Sequence, residues 1–549
     1  MNRLLYLILV STLYAMNSNS ITIYTNAKIW TGVEDIPLQS VLVLNGDKIA
    51  AVGGEELLSN FNKSEAEIID LKGAFVVPGF IDNHTHLMAG GFQLAQVKLR
   101  YAQDRDQFVE TLKQFAEKVP SGRWITGGRW DHENWGGELP RKEWIDNAVG
   151  DHPVFVSRLD GHMGLANSIA LKMAGISAET PDPDGGSIIK DDLPGEPTGI
   201  LKDEAMTFVF DLIPEPSVEE SDEAFDRAME HILALGVTHV QDMCSWSDFE
   251  TYLRAQKRGA LRARIHTFIY DWDWELLKSQ NDAIIKGDDW LSIAGVKLFV
   301  DGSLGSSTAW FYDPYLDEPS TSGLMVTDTA YTRQIIFDVE EAGLQMAIHA
   351  IGDRANDWAL DAYADVVKKY GNRDRRFRIE HAQHLTQNAL NRFAELGVIA
   401  SMQPPHLIDD GRWAEKRIGN DVLAGTYAIR TLLDSGARVT FGSDWTVAPI
   451  APLFGIYAAA TRRTLDNKHP DGWLLEQKIS VEEALRCYTA NNAWGVFSED
   501  SLGTIEEGKL ADFVVLSQDL LDIDPVNIRD VNVLRTVVSG KEQYNSVAH

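Results

Sequence analysis

At 549 residues the chain is too long for one minimal domain and long enough for a large barrel with a satellite domain. Its 44% apolar and 24% charged residues suit a compact globular protein and exclude a fibre or a disordered chain. With 81 acidic against 50 basic residues the formal charge is -31, which argues against nucleic acid as a partner: a polyanion would be repelled, and an acidic surface otherwise serves solubility.

The first segment, 1–20, has one positive charge at Arg3, an apolar run over 4–15 broken only by Ser11 and Thr12, and a polar stretch at 17–20. That is the layout of a secretory signal peptide, which predicts an exported protein, periplasmic or extracellular. The run is short for a bilayer, so no stable membrane span is expected once the leader is removed; an N-terminal core strand or anchor helix is the alternative. Residues 21–74 then read as short strands with turns at Thr31-Gly32 and Asn45-Gly46. A matching β segment returns over 497–549, and the two ends are expected to pair into one small composite β-sandwich domain. Cys244 and Cys487, far apart in sequence, give neither a disulfide framework nor a cysteine zinc site and read as buried free thiols.

Between the ends, 75–496 alternates apolar strands with helical stretches, at 75–86, 237–243, 265–270, 293–301, 344–351, 377–383, 398–403 and 438–444. Eight such units predict an α/β fold, a (β/α)8 TIM barrel. An insertion of about 120–205 separates the first two strands. It carries Trp124, Trp130, Trp135 and Trp144 and the loop at 181–186, and reads as a subdomain over the barrel mouth whose tryptophans are either core or a substrate platform.

His84 and His86, two apart on the first strand, point to one face near the strand's C-terminal end, where barrel active sites are built. His349, His381 and Asp444 end three further strands. Each alone has a structural explanation, but four histidines and an aspartate at strand ends that meet at one mouth predict a metal site. Lys297 lies in the apolar run IAGVKLFV, where burial disfavours an ammonium. A neutral amine there can add carbon dioxide to give a metal-bridging carbamate; an ion pair with Asp301 is the equal alternative.

The motifs GFIDNHTH (79–86), GVKLFVDGSLGSSTA (295–309), IHAIGDRA (348–355), RIEHAQ (378–383) and GSDW (442–445) resemble the successive strand motifs of amidohydrolase family 3 in the amidohydrolase superfamily, the group that includes N-substituted formamide deformylase. The resemblance covers nearly the whole chain after the leader. It implies two zinc ions, with His84, His86 and Asp444 on one, His349 and His381 on the other, and carboxylated Lys297 bridging them. It further implies a zinc-dependent hydrolase that cleaves a non-peptide C–N bond of an amide, a formamide or a related small molecule with a metal-bridging hydroxide, Asp444 moving the proton. An esterase, lactonase or phosphoesterase on the same site, or a non-catalytic barrel scaffold, are the alternatives. His162, His406, Asp301 and Arg412 stand as candidates for binding substrate, whereas Asp353 reads as a helix cap. The expected partner is a small-molecule substrate, and a homodimer is left open.

Overall fold

The computed structural model describes residues 21–546 apart from 63, 159–162, 184–185 and 192–194. The expected leader, 1–20, lies outside the described residues, as does His162. No helix among the described residues is long and apolar enough to cross a membrane.

One parallel sheet takes its eight strands in strict chain order: β1 (Phe80–Thr85), β2 (Val237–Cys244), β3 (Arg264–Tyr270), β4 (Leu291–Phe299), β5 (Gln345–Ala350), β6 (Arg378–His381), β7 (Ile399–Met402) and β8 (Val439–Phe441). Helices cover such a sheet outside and side chains fill it inside, so its strands are buried on both faces; β1, β2, β6, β7 and β8 are buried at every position, the polar ones included. The intervening helices carry ordinary punctuation. The helix Gln387–Leu396 starts where the Thr386 side chain accepts from the Ala389 amide and stops at left-handed Gly397.

Closure falls between β8 and β1 and uses little backbone. The Asp444 amide donates to the His84 carbonyl and the His86 amide to the Trp445 carbonyl, each at 2.8 Å. Gly442 makes this approach possible, because a Cβ there would lie 2.4 Å from Asn83 Oδ1 and 2.6 Å from the His84 nitrogen.

The first predicted strand, 75–86, is two strands. Phe75–Pro78 leaves the barrel for another sheet and β1 begins at Phe80, the break falling at Gly79, where a Cβ would meet Thr238 Oγ1 at 2.2 Å. Phe75–Pro78 pairs on one side with Lys28–Ile29 and on the other with Phe513–Leu516, which is followed by Val533–Val538 and Lys541–Asn545. A second sheet of Lys48–Gly53, Val41–Asn45, Ile21–Thr25 and Ala66–Asp70 contributes Tyr24, Leu42, Leu44 and Ile49 to a core shared with Phe513, Val515 and Val537. The chain ends thus build one composite β domain. Cys244 and Cys487 are buried and free.

The segment Leu87–Ala228 forms a compact unit of its own, wider than the expected 120–205. Its sheet runs Gly186–Lys190, Pro197–Asp203, Met163–Ala166, Val154–Arg158, Ile125–Trp130 and Val97–Lys98. The wider bounds follow from Val97–Lys98 joining this sheet and the helix Arg105–Ala116 packing Phe108 and Leu112 into its core. Trp130 and Trp144 belong to that core.

Candidate metal centre

Six side chains from β1, β4, β5, β6 and the turn after β8 gather at the C-terminal end of the barrel. Ligand atoms of His84, His381 and Asp444 lie within 4.8 Å of one another, all three buried. His86 Nε2 stands 3.1 Å from Asp444 Oδ1, and Lys297 Nζ 3.5 Å from His84 Nε2. The His349 ring packs on His381 with centroids 4.5 Å apart.

Each imidazole has one nitrogen committed to a partner. His84 Nδ1–H donates to Glu380 Oε2 at 2.5 Å and His381 Nδ1–H to Gln403 Oε1 at 2.8 Å. His86 Nδ1 faces the Tyr270 hydroxyl at 2.9 Å and the Met243 carbonyl at 3.2 Å. His349 is turned the other way, with Nε2–H on the Gly302 carbonyl at 3.0 Å, which leaves Nδ1 as its free lone pair. An acceptor on one nitrogen fixes the tautomer and exposes the other to a cation. This donor set fits a metal.

The electrostatics agree. Burial, helped by the Lys297 charge, pulls His84 down to about 4 and His349 to about 3, and burial with the His349 charge holds His381 well below its ordinary value, so the imidazolium form is disfavoured at all three. Burial pushes Asp444 upward, but the His86 hydrogen bond and the charges of His84 and His381 outweigh it and hold the carboxyl well below the usual range. Burial lowers Lys297 to about 8, against the pull of Glu380 and Asp444, so its neutral amine is a minor form near neutral pH. Its neighbours are His84 and the Phe299 ring, 4.6 Å away.

The local backbone is held for this purpose. His381 has φ +74° and Asp444 φ +56°, a region disfavoured by about 1–2 kcal/mol for a side-chain-bearing residue. At His381 the turn breaks strand alternation, so that Glu380 and His381, adjacent in sequence, both face the site.

Beneath the ligands lies a polar layer that sequence reasoning missed. Glu380 accepts from Arg378 Nε at 2.5 Å and from the Ser401 hydroxyl at 2.6 Å, while Arg378 also donates to Gln241 Oε1 at 2.5 Å and the Asn83 carbonyl at 2.6 Å. Burial pushes Glu380 up, but Arg378 and His84 overcome it and keep the carboxylate ionised. Asp82 Oδ1 accepts the amides of His84 at 3.1 Å and Ser443 at 3.0 Å, tying β1 to the turn after β8. The available signal was Arg378 and Glu380 themselves: two charges in a four-residue buried strand must be paired.

The remaining expected residues divide. His406 Nε2 lies 3.9 Å from Asp444 Oδ2 and is buried without a hydrogen-bond partner. Asp301 sits beyond the end of β4, 3.5 Å from His349 Nε2, and accepts from the amides of Trp310, Ile351 and Gly352 at 2.8–3.0 Å. Among the described residues it makes no pair with Lys297. Arg412 pairs with Asp409 one turn earlier, and Asp353 accepts the Tyr312 and Arg354 amides at a helix start.

The sequence model of the amidohydrolase family matches residues 67–544. The chain belongs to this family. This amidohydrolase is 40% identical to the Arabidopsis thaliana protein LONG AFTER FAR-RED 3 over 98% of the chain and 96% of that protein. It is 30% identical to N-substituted formamide deformylase of Arthrobacter pascens, covering 92% and 95% of the two chains. Among solved structures, an uncharacterized metal-dependent hydrolase from Pyrococcus furiosus superposes with a TM-score of 0.76 at 32% identity, over 92% of this amidohydrolase and all of that chain.

Proposed function

We propose that this amidohydrolase is a zinc-dependent hydrolase of a C–N bond, other than a peptide bond, in a small amide or formamide. The observation that carries the proposal is the set of four imidazoles, each tied through one nitrogen to a partner outside the cluster, around an ionised Asp444 and a buried Lys297. Family membership and the formamide deformylase relative support the bond type.

In this proposal His84, His86 and Asp444 would hold one zinc ion and His349 and His381 a second, with Lys297, as its carbamate, contributing to both. Zinc bound there supplies Lewis acidity to the substrate carbonyl and to the attacking water. Asp444 takes the proton of that water and passes it to the leaving nitrogen, which departs poorly unless protonated. His406, with its unpartnered Nε2 beside Asp444, hydrogen-bonds the substrate carbonyl oxygen. Glu380 keeps His84 in the tautomer that binds metal.

Metal analysis of the purified protein tests this first: close to two zinc equivalents are expected, and a metal-free, fully folded protein would refute it. A panel of formamides, amides, N-acyl amino acids and esters, assayed with zinc and bicarbonate, then separates the bond types. Cleavage of esters alone would overturn the C–N assignment. Asp444→Asn should keep much of the metal and lose about 10²–10⁴ in turnover, the usual contribution of general acid–base catalysis.

A further inference from the structure

The rim of the site carries an aromatic wall of Tyr270, Trp272 and Phe299. Tyr270, the last residue of β3, stacks on His86 with ring centroids 6.5 Å apart and planes 19° apart. Trp272 stacks on Tyr270 at 4.2 Å and 23°. Phe299, the last residue of β4, lies parallel to Trp272, 8° between planes at 6.2 Å, and packs against the His349 ring at 5.4 Å. Trp272 is therefore one ring beyond the contacts of His86 on one side and of His349 on the other. It is also 62% exposed.

The burial pattern separates these rings by purpose. Tyr270 and Phe299 are half-buried and shield His86, Lys297 and His349. Trp272 shields no ligand directly, yet holds a large apolar face open to solvent, in register with two rings that fix its orientation. A lone exposed apolar side chain needs no explanation, but one locked by stacking at the edge of a reactive centre is a ready surface for another flat group.

The geometry points to Trp272 as a specificity-determining residue, which with Tyr270 and Phe299 forms a subsite for a flat, unsaturated ring on the substrate. This rests on the proposed C–N hydrolysis for the identity of the scissile bond, but not for binding. Stacking distinguishes a planar ring from a saturated ring of similar size, because hydrophobic burial rewards both and face-to-face contact only the first.

The test uses the metal-loaded protein and two matched pairs. The uncleavable ligands 2-phenylethanol and 2-cyclohexylethanol are compared by equilibrium binding, and N-(2-phenylethyl)formamide and N-(2-cyclohexylethyl)formamide by kcat/KM. The phenyl compound is expected to be favoured by about threefold to tenfold in each pair, the range an aromatic pair contributes. Trp272→Ala should abolish that ratio and Trp272→Phe should retain most of it, with bound zinc unchanged in both. Equal binding of the two alcohols, or a ratio untouched by Trp272→Ala, overturns the subsite. Preferential binding of the phenyl alcohol that Trp272→Ala removes supports it even if neither formamide is cleaved, and in that case it is the C–N assignment that fails.

Discussion

Glu380→Gln is the most informative single change, because Glu380 joins His84 of the candidate metal centre to the barrel interior. The substitution keeps the shape and removes the charge. Its carboxylate now accepts from His84 Nδ1, Arg378 and Ser401 in a fully buried setting. A neutral amide presents only one oxygen, so Arg378 is left as an uncompensated buried cation, and either His84 or Arg378 meets an NH2 group in place of an acceptor. Breaking a buried pair by removing one partner costs about 3–5 kcal/mol. Loss of a partner that orients a metal-binding histidine weakens metal affinity by about 10–100-fold. Urea unfolding midpoints and zinc competition against a chelator measure the two effects separately. Adding Arg378→Gln should return much of the stability while leaving zinc weakly held, since only the stray cation has been removed. A Glu380→Gln protein with unaltered unfolding and zinc affinity would refute the assigned role of this layer.

Three further outcomes follow from the fold. Gly79→Ala should destabilise by about 1–3 kcal/mol through overpacking, with Thr238→Ala in the same chain restoring part of it by removing the atoms 2.2 and 2.7 Å from the new Cβ; denaturant midpoints read both, and an unaffected single variant contradicts the close approach. Ending the chain after Asp500 deletes Phe513–Leu516 from between its neighbours and uncovers Tyr24, Ile29 and Val76, so limited proteolysis should find the N-terminal strands cut rapidly; a truncated chain as resistant as the whole would disprove the shared core. Burial lowers His384 to about 3, so its unfolded form takes up a proton, near pH 6.5, that the folded form refuses. Stability is then full above about pH 6.5 and falls as the pH drops toward 3, by up to about 1.4 kcal/mol per unit, and His384→Gln should flatten that slope in acid unfolding; an unchanged slope counts against the neutral, buried imidazole.

The barrel was legible because its strands are apolar runs too short for helices, and β2 to β8 fall within a few residues of their predicted places. Gly79 and Asp301 show where such runs mislead. An apolar stretch does not say which sheet it joins, so 75–86 concealed a change of sheet, and it does not say where the pleat ends, so Asp301 fell beyond β4 and onto backbone amides. His84 and His86 were readable from alternation together with their place at the strand's C-terminal end. Glu380 was not, because alternation sets it opposite His381, and only the left-handed backbone at His381 brings both to the same side. Arg412 pairs with Asp409, three residues earlier at the end of the preceding helix, a local partner that its candidacy for substrate did not take into account. The bounds of the insertion depended on Val97–Lys98, a strand of two residues that no periodicity can announce.

The seam between β8 and β1 has a consequence for how the molecule comes into being. His84 and Asp444 are separated by most of the polypeptide yet exchange a backbone hydrogen bond across the last gap to close. A ribosome must therefore release nearly the entire chain before any cation could find its full set of donors, and half-made barrels would be inert. Once captured, the ion would act as a rivet across the weakest joint of the ring, so that metal starvation should open the cylinder there first.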